Sequence, residues 1–192
     1  MPSKQGARSH ETADRRFATL WPLPGGRARY AETLREMLVM ASEAPTRSEL
    51  EDAVYWRYGL MSRRTARGYV GVLTVLDMIE IVGRKPRLTP RGRAFRRGSV
   101  AALRAALVER VGGVREMLET LSVGPLPTRD LREALAMQGT EWGYPMAVHQ
   151  RLWWLESAGV VTGTRRSRAD IWRLTPAGRR LVNRPPGSNP KR

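Results

Sequence analysis

The sequence contains no cysteine, which excludes a disulfide framework and a thiolate metal site. Its two histidines are His10 and His149, and no His/Asp/Glu cluster has metal-ligand spacing. A glycine-rich phosphate loop and a nucleophile motif are also missing. Catalysis is therefore not expected, nor is a metal or any other cofactor. Asp77 and Glu80 precede Lys85, but the acid-x-Lys spacing of a metal-dependent nuclease is lacking. No apolar run reaches the roughly 18 residues that span a bilayer. The opening "MPSKQGARSHETADRRF" lacks the apolar core of a secretory signal. These absences predict a cytoplasmic protein without a membrane partner.

Lysine is scarce as well. Of 34 basic residues only Lys4, Lys85 and Lys191 are lysines, and 18 acidic residues leave a formal net charge of +16. The isoelectric point is near 11.5. A GC-rich genome would also enrich arginine. Arginine nonetheless offers a planar fork that fits phosphate and guanine edges. Such an excess favours a polyanion, either nucleic acid or an anionic membrane. Hydrophobic residues, at 41%, are numerous enough for a folded core.

One phrase is written twice. "RLTPRGRAF" occupies 87–95 and "RLTPAGRRL" occupies 173–181. Leu, Thr, Pro, Gly and Arg recur in register 86 residues apart, as expected of one structural unit used twice. The context repeats too. "RYAETLREMLVMAS" places Tyr30, Leu34, Met37, Leu38 and Ala41 on one helical face. "PTRSELEDAVYW" opens with Thr46 and Glu49 spaced as a capping box. Ser62 starts a third helix that turns Val72, Leu73, Leu76 and Ile79 inward. "IEIVGRKPRLT" reads as two strands around the turn Gly83-Arg84-Lys85-Pro86, and Thr89-Pro90 starts a short helix.

In the second half "GGVREMLETL" gives a first helix and "PTRDLREALAM" a second, capped by Thr128. A third begins near Pro145 and buries Val148, Leu152 and Leu155. "VVTGTRRSRADIWRLT" is the second hairpin, and Thr175-Pro176 starts the last helix. The expected divisions are a flexible basic arm (1–26), in which "FATLW" is placed to dock on the body, a unit over 27–97 and a linking helix over 98–111. A second unit over 112–182 and a disordered basic tail (183–192) follow.

Three helices and a hairpin, with "LDMIEIVGRKPRLTPRGRAF" (76–95) and "LESAGVVTGTRRSRADIWRLTPAGRRL" (155–181), resemble the winged helix-turn-helix family over about 27–97 and 112–182. The resemblance implies a mainly α fold with small β-hairpin wings, built as two tandem winged helix-turn-helix units joined by a linking helix. It also implies that the third helix enters the major groove while the wing follows the backbone. The tandem order is more loosely similar to the DNA-recognition module of FokI-like type IIS restriction endonucleases.

Arg63, Arg64, Thr65 and Arg67 crowd the first turn of the first third helix. Cations there oppose the macrodipole at roughly 0.3–1 kcal/mol each. With no folding benefit in view, base contact is the expected role, against the plainer alternative of a solvated basic helix end. In the second unit Gln150 offers base-reading chemistry. Trp142 and Tyr144 are expected to cover a core edge, against the alternative of stacking or wedging on bases, and Trp153 and Trp154 are assigned to packing. Phosphate contacts are expected from Arg84, Lys85, Arg87, Arg91 and Arg93, in a stretch that also holds Arg96 and Arg97. Arg165, Arg166, Arg168 and Arg173 have the same expected role in the second wing.

The sequence thus predicts a non-enzymatic, nucleoid-associated protein whose partner is double-stranded DNA. It would act as a transcriptional regulator or as the DNA-recognition subunit of a restriction, defence or mobile-element system, beside a nuclease or ATPase. A competing expectation is a KITE-like adaptor that clasps a DNA-processing ATPase through exposed apolar surface. RNA binding is disfavoured by the lack of an aromatic-studded sheet.

Overall fold

Apolar residues three and four apart make helices of most of the chain described by the computed structural model, which covers residues 20–140, 144, 146–166 and 169–183, without the side chains of 165, 166 and 169. His10, Phe17, Trp142, Pro145, Arg168 and the tail beyond Asn183 lie outside the described residues. A 3-10 turn at Arg27–Arg29 leads into α1 (Tyr30–Glu43), α2 (Arg47–Arg57) and α3 (Arg63–Val75). The strands β1 (Ile79–Val82) and β2 (Lys85–Leu88) precede α4 (Pro90–Arg96) and α5 (Val100–Arg110). Next come α6 (Val114–Val123), β3 (Leu126–Pro127), α7 (Thr128–Met137) and α8 (Ala147–Ser157). Then β4 (Val161–Arg166), β5 (Ala169–Leu174) and α9 (Pro176–Val182) complete the described chain. The fold is mainly α with small antiparallel hairpins, as the sequence predicts.

Local chemistry starts most of these elements. Thr46 accepts the Glu49 amide at 3.2 Å, the forward half of the capping box, while the Glu49 carboxylate accepts the Thr46 hydroxyl at 2.9 Å instead of its backbone N–H. Ser62 accepts the Thr65 amide at 3.2 Å. Thr128 behaves differently from the expectation. Pro127 is the N-cap of α7, and the Thr128 hydroxyl accepts the Trp172 indole N–H at 2.9 Å. That bond ties α7 to β5, beside the two residues of β3 that pair with it: Leu126 with Trp172 and Pro127 with Ile171. The second sheet therefore has three strands, ordered β3-β5-β4, and the first has two.

The twice-written phrase is a clamp. The Thr89 hydroxyl donates to the Asp77 carbonyl at 2.7 Å and accepts the Gly92 amide at 3.0 Å. The Thr175 hydroxyl donates to the Gly159 carbonyl at 2.7 Å and accepts the Gly178 amide at 3.1 Å. Each clamp grips the end of a helix that closes in the same way. Met78 N–H reaches Leu73 O and Val160 N–H reaches Leu155 O, both at 2.8 Å, past a left-handed residue. That residue is Asp77 (φ 53) after α3 and Gly159 (φ 65) after α8. The phrase keeps its glycine because a Cβ on Gly92 would stand 1.9 Å from Met78 O, and one on Gly178 would stand 2.2 Å from Val160 O.

One connected cluster of buried side chains runs through both halves, including Leu34, Leu38 and Leu73 with Leu118, Leu152 and Trp154. Residues 20–26, read from the sequence as part of a flexible arm, help to close this cluster. Leu20 and Leu23 are buried, and Trp21 O accepts the Trp154 indole N–H at 3.3 Å. The Tyr30 and Trp154 rings lie 5.1 Å apart. The α5 helix ties both halves from another side. Arg104 donates to Ala158 O at 2.8 Å, while Glu109 pairs with Arg91, which also lies 3.1 Å from Asp77.

Candidate functional site

Helix α3 buries Ala66, Tyr69, Val70, Val72 and Leu73. The opposite face therefore carries Arg63, Arg64, Arg67 and Thr74, all exposed. Two of these arginines have partners on α2. Arg63 pairs with Asp52, and its guanidinium lies 5.4 Å over the Tyr55 ring. Arg67 lies 3.6 Å from Glu51, which also holds Arg47 at 2.9 Å. Arg64, between them, makes no hydrogen bond or ion pair among the described residues. The basic cluster thus has a folding role that the sequence did not disclose, because α2 supplies its counter-charges. Exposed pairs contribute only about 0.2–1 kcal/mol each, so they exchange readily. Thr65 is half-exposed, its hydroxyl 3.0 Å from that of Ser62.

The first hairpin turns on Gly83 (φ 64), since Val82 and Lys85 are paired and leave two residues in the loop. The turn folds back on α2, where Arg84 O accepts the Arg47 amide at 2.7 Å. Contacts from Arg84 through Arg47 and Glu51 to Arg67 place the hairpin tip and the α3 arginines along one flank of α2. Thr46, Arg47, Ser48, Ile81, Gly83 and Arg84 line a shallow groove there. The side chains of Arg84, Lys85 and Arg87 are exposed and have no hydrogen-bond or ion-pair partner among the described residues. Arg87 stands across from Glu80 in the ladder.

Other candidates are more engaged. Arg91 is occupied within the fold by Asp77 and Glu109, its side chain only 21% exposed. Arg93 is exposed but donates to Leu88 O at 2.6 Å. Arg173 is exposed on β5. Arg165 and Arg166 are described through their strand backbone alone, and Arg168 lies outside the described residues.

Helix α8 precedes the second hairpin as α3 precedes the first, yet its residues are all buried or half-buried. Gln150 is half-buried, and its Oε1 accepts the Tyr144 hydroxyl. Arg151 is buried and donates to Gly112 O at 2.9 Å. Burial pulls its pKa below the ordinary arginine value, with Tyr144 opposing. The signal for this was present: "AVHQRLWWLES" has few charges and two adjacent tryptophans. Arg27, also missed, reaches Glu156 at 3.3 Å and Asp170 at 3.9 Å. Four exposed apolar side chains were missed as well: Trp56, Met61, Val123 and Met137.

Among the described residues no group of three His, Cys, Asp or Glu side chains is placed to hold a metal ion. No described helix is long and apolar enough to cross a membrane. No protein-family model, curated protein or solved structure matches the chain.

Proposed function

We propose that this chain is a non-enzymatic double-stranded DNA-binding protein of winged-helix character, working in the cytoplasm on the nucleoid. Helix α3 reads base edges with Arg64, joined by Arg63, Thr65 and Arg67. The β1–β2 hairpin neutralises phosphates with Arg84, Lys85 and Arg87, and Arg93 adds to them. The second half braces the first, because α8 is covered. Its own hairpin adds Arg173 at most among the described side chains.

The observation that carries this reading is the imbalance of partners on one flank. Exposed Arg64, Arg84, Lys85 and Arg87 form no ion pair among the described residues, Arg87 having only Glu80 across the ladder, while α2 carboxylates hold Arg63 and Arg67. Unneutralised cations of this density call for a polyanion. About four phosphate contacts give a log affinity against log salt slope near −3.6 on a duplex. A slope shallower than about −2 would remove the proposal. Regulator and recognition subunit differ in company: the first protects a promoter site in footprinting, the second co-purifies with a nuclease or ATPase.

A second reading, the adaptor for a DNA-processing ATPase, is favoured by the exposed apolar side chains of Trp56, Met61, Val123 and Met137. Alanine at Arg64, Arg84 and Arg87 separates the two. A DNA reader loses duplex affinity, whereas an adaptor keeps its protein partner.

A further inference from the structure

We infer that Glu51 and Asp52 of α2 are specificity-determining residues that hold Arg67 and Arg63 back from indiscriminate contact with polyanions. This inference rests on the DNA-binding reading above. Asp52 and Tyr55, one helical turn apart, grip the Arg63 guanidinium from below, one by charge and the other by its ring face. Glu51 divides its carboxylate between Arg47 of its own helix, at 2.9 Å, and Arg67 of α3, at 3.6 Å. Glu51 is the more buried partner, 16% exposed at the side chain against 68% for Arg67. The carboxylate is therefore fixed, and the arginine head is the mobile member.

A phosphate approaching α3 finds one arginine unpaired, Arg64, and meets a carboxylate of its own sign beside each of the other two. Random sequence offers phosphates alone as compensation. A matching sequence adds base-edge hydrogen bonds, each good bidentate pair worth about 1–3 kcal/mol of discrimination. Pairs of this kind lower affinity for every duplex and raise the ratio between the right one and the rest. A purely structural role would tie α2 to α3 and leave polyanion affinity unchanged.

The test uses the full chain, a random-sequence duplex of about 20 base pairs and a salt titration. Asp52→Asn and Glu51→Gln are each compared with Glu133→Gln, which removes the same charge from α7, where Glu133 pairs with Arg129 at 3.0 Å. Each α2 variant is expected to bind the random duplex about threefold tighter or more, and to steepen the slope by about 0.9, one added phosphate contact. Selection from a random duplex library should then return a weaker consensus than with the wild type. Glu133→Gln should stay within about twofold of the wild type. If both α2 variants match Glu133→Gln, or bind more weakly, the inference falls while the DNA reading stands. If the wild type shows no salt-dependent duplex binding, both fall together.

Discussion

The indole of Trp21 lies so close to Gly68 that a Cβ on that glycine would sit 2.7 Å from a ring carbon. The segment before α1 thus packs on the flank of α3, and the same tryptophan's carbonyl is bonded to Trp154 of α8. Gly68→Ala should displace this packing. The gain in helix propensity, about 1 kcal/mol, is outweighed by overpacking of about 1–3 kcal/mol. A lower melting temperature is expected, with tryptophan emission shifted toward that of exposed indole. An unchanged melt would show that the segment adjusts freely.

Gly71 provides the opposite case one turn on. A Cβ there meets nothing within 4 Å, so the fold gives no reason for glycine. Gly71→Ala should stabilise by about 0.5–1 kcal/mol, read as a rise of roughly 1–4 °C in melting temperature. If α3 approaches a duplex closely at this point, the stabilised variant should also bind it less tightly.

The clamp glycines allow no such latitude. Gly92→Ala or Gly178→Ala drives a methyl group into Met78 O or Val160 O. Each should cost about 3 kcal/mol or more. Denaturant melts of the two variants should show matching losses, because the two clamps share one geometry. A mild effect at either site would mean that the short helix slides aside.

Alkaline pH should weaken the fold through its buried tyrosines. Burial pushes the Tyr30 phenol up to about 12, Tyr69 adding to the effect and Arg27 opposing it. Burial raises Tyr58 and Tyr69 as well, and at Tyr58 the Glu36 carboxylate reinforces it. An unfolded tyrosine ionises near pH 10. Tyr30's contribution is therefore intact below about pH 10 and lost as pH rises from there toward 12. Tyr30→Phe should flatten that decline while changing stability little at pH 7, as followed by denaturant midpoints across the range.

Much of the architecture was legible because it is local. The caps at Thr46, Ser62, Thr89 and Thr175 are written in three-residue spacings, and the Gly83 turn in a two-residue loop. Thr128 misled because its hydroxyl is claimed by Trp172, 44 residues on, and no local pattern reports that. The same holds for the candidate site. The arginines of α3 were visible, but Asp52 and Glu51 stand opposite them only once α2 and α3 pack. The bond from Trp154 of α8 to Trp21 O joins it to residues far upstream, in a stretch whose prolines and glycines read as loop.

A consequence follows from the α5 contacts. From fixed places on one spiral, which advances about 100° per residue, Arg104 reaches the end of α8 and Glu109 reaches Arg91 of α4, which holds Asp77 after α3. Lengthening that spiral by a single residue between them would swing one grip away from its target. With one buried cluster also running through both halves, a change of spacing in that helix would be felt on both sides of it.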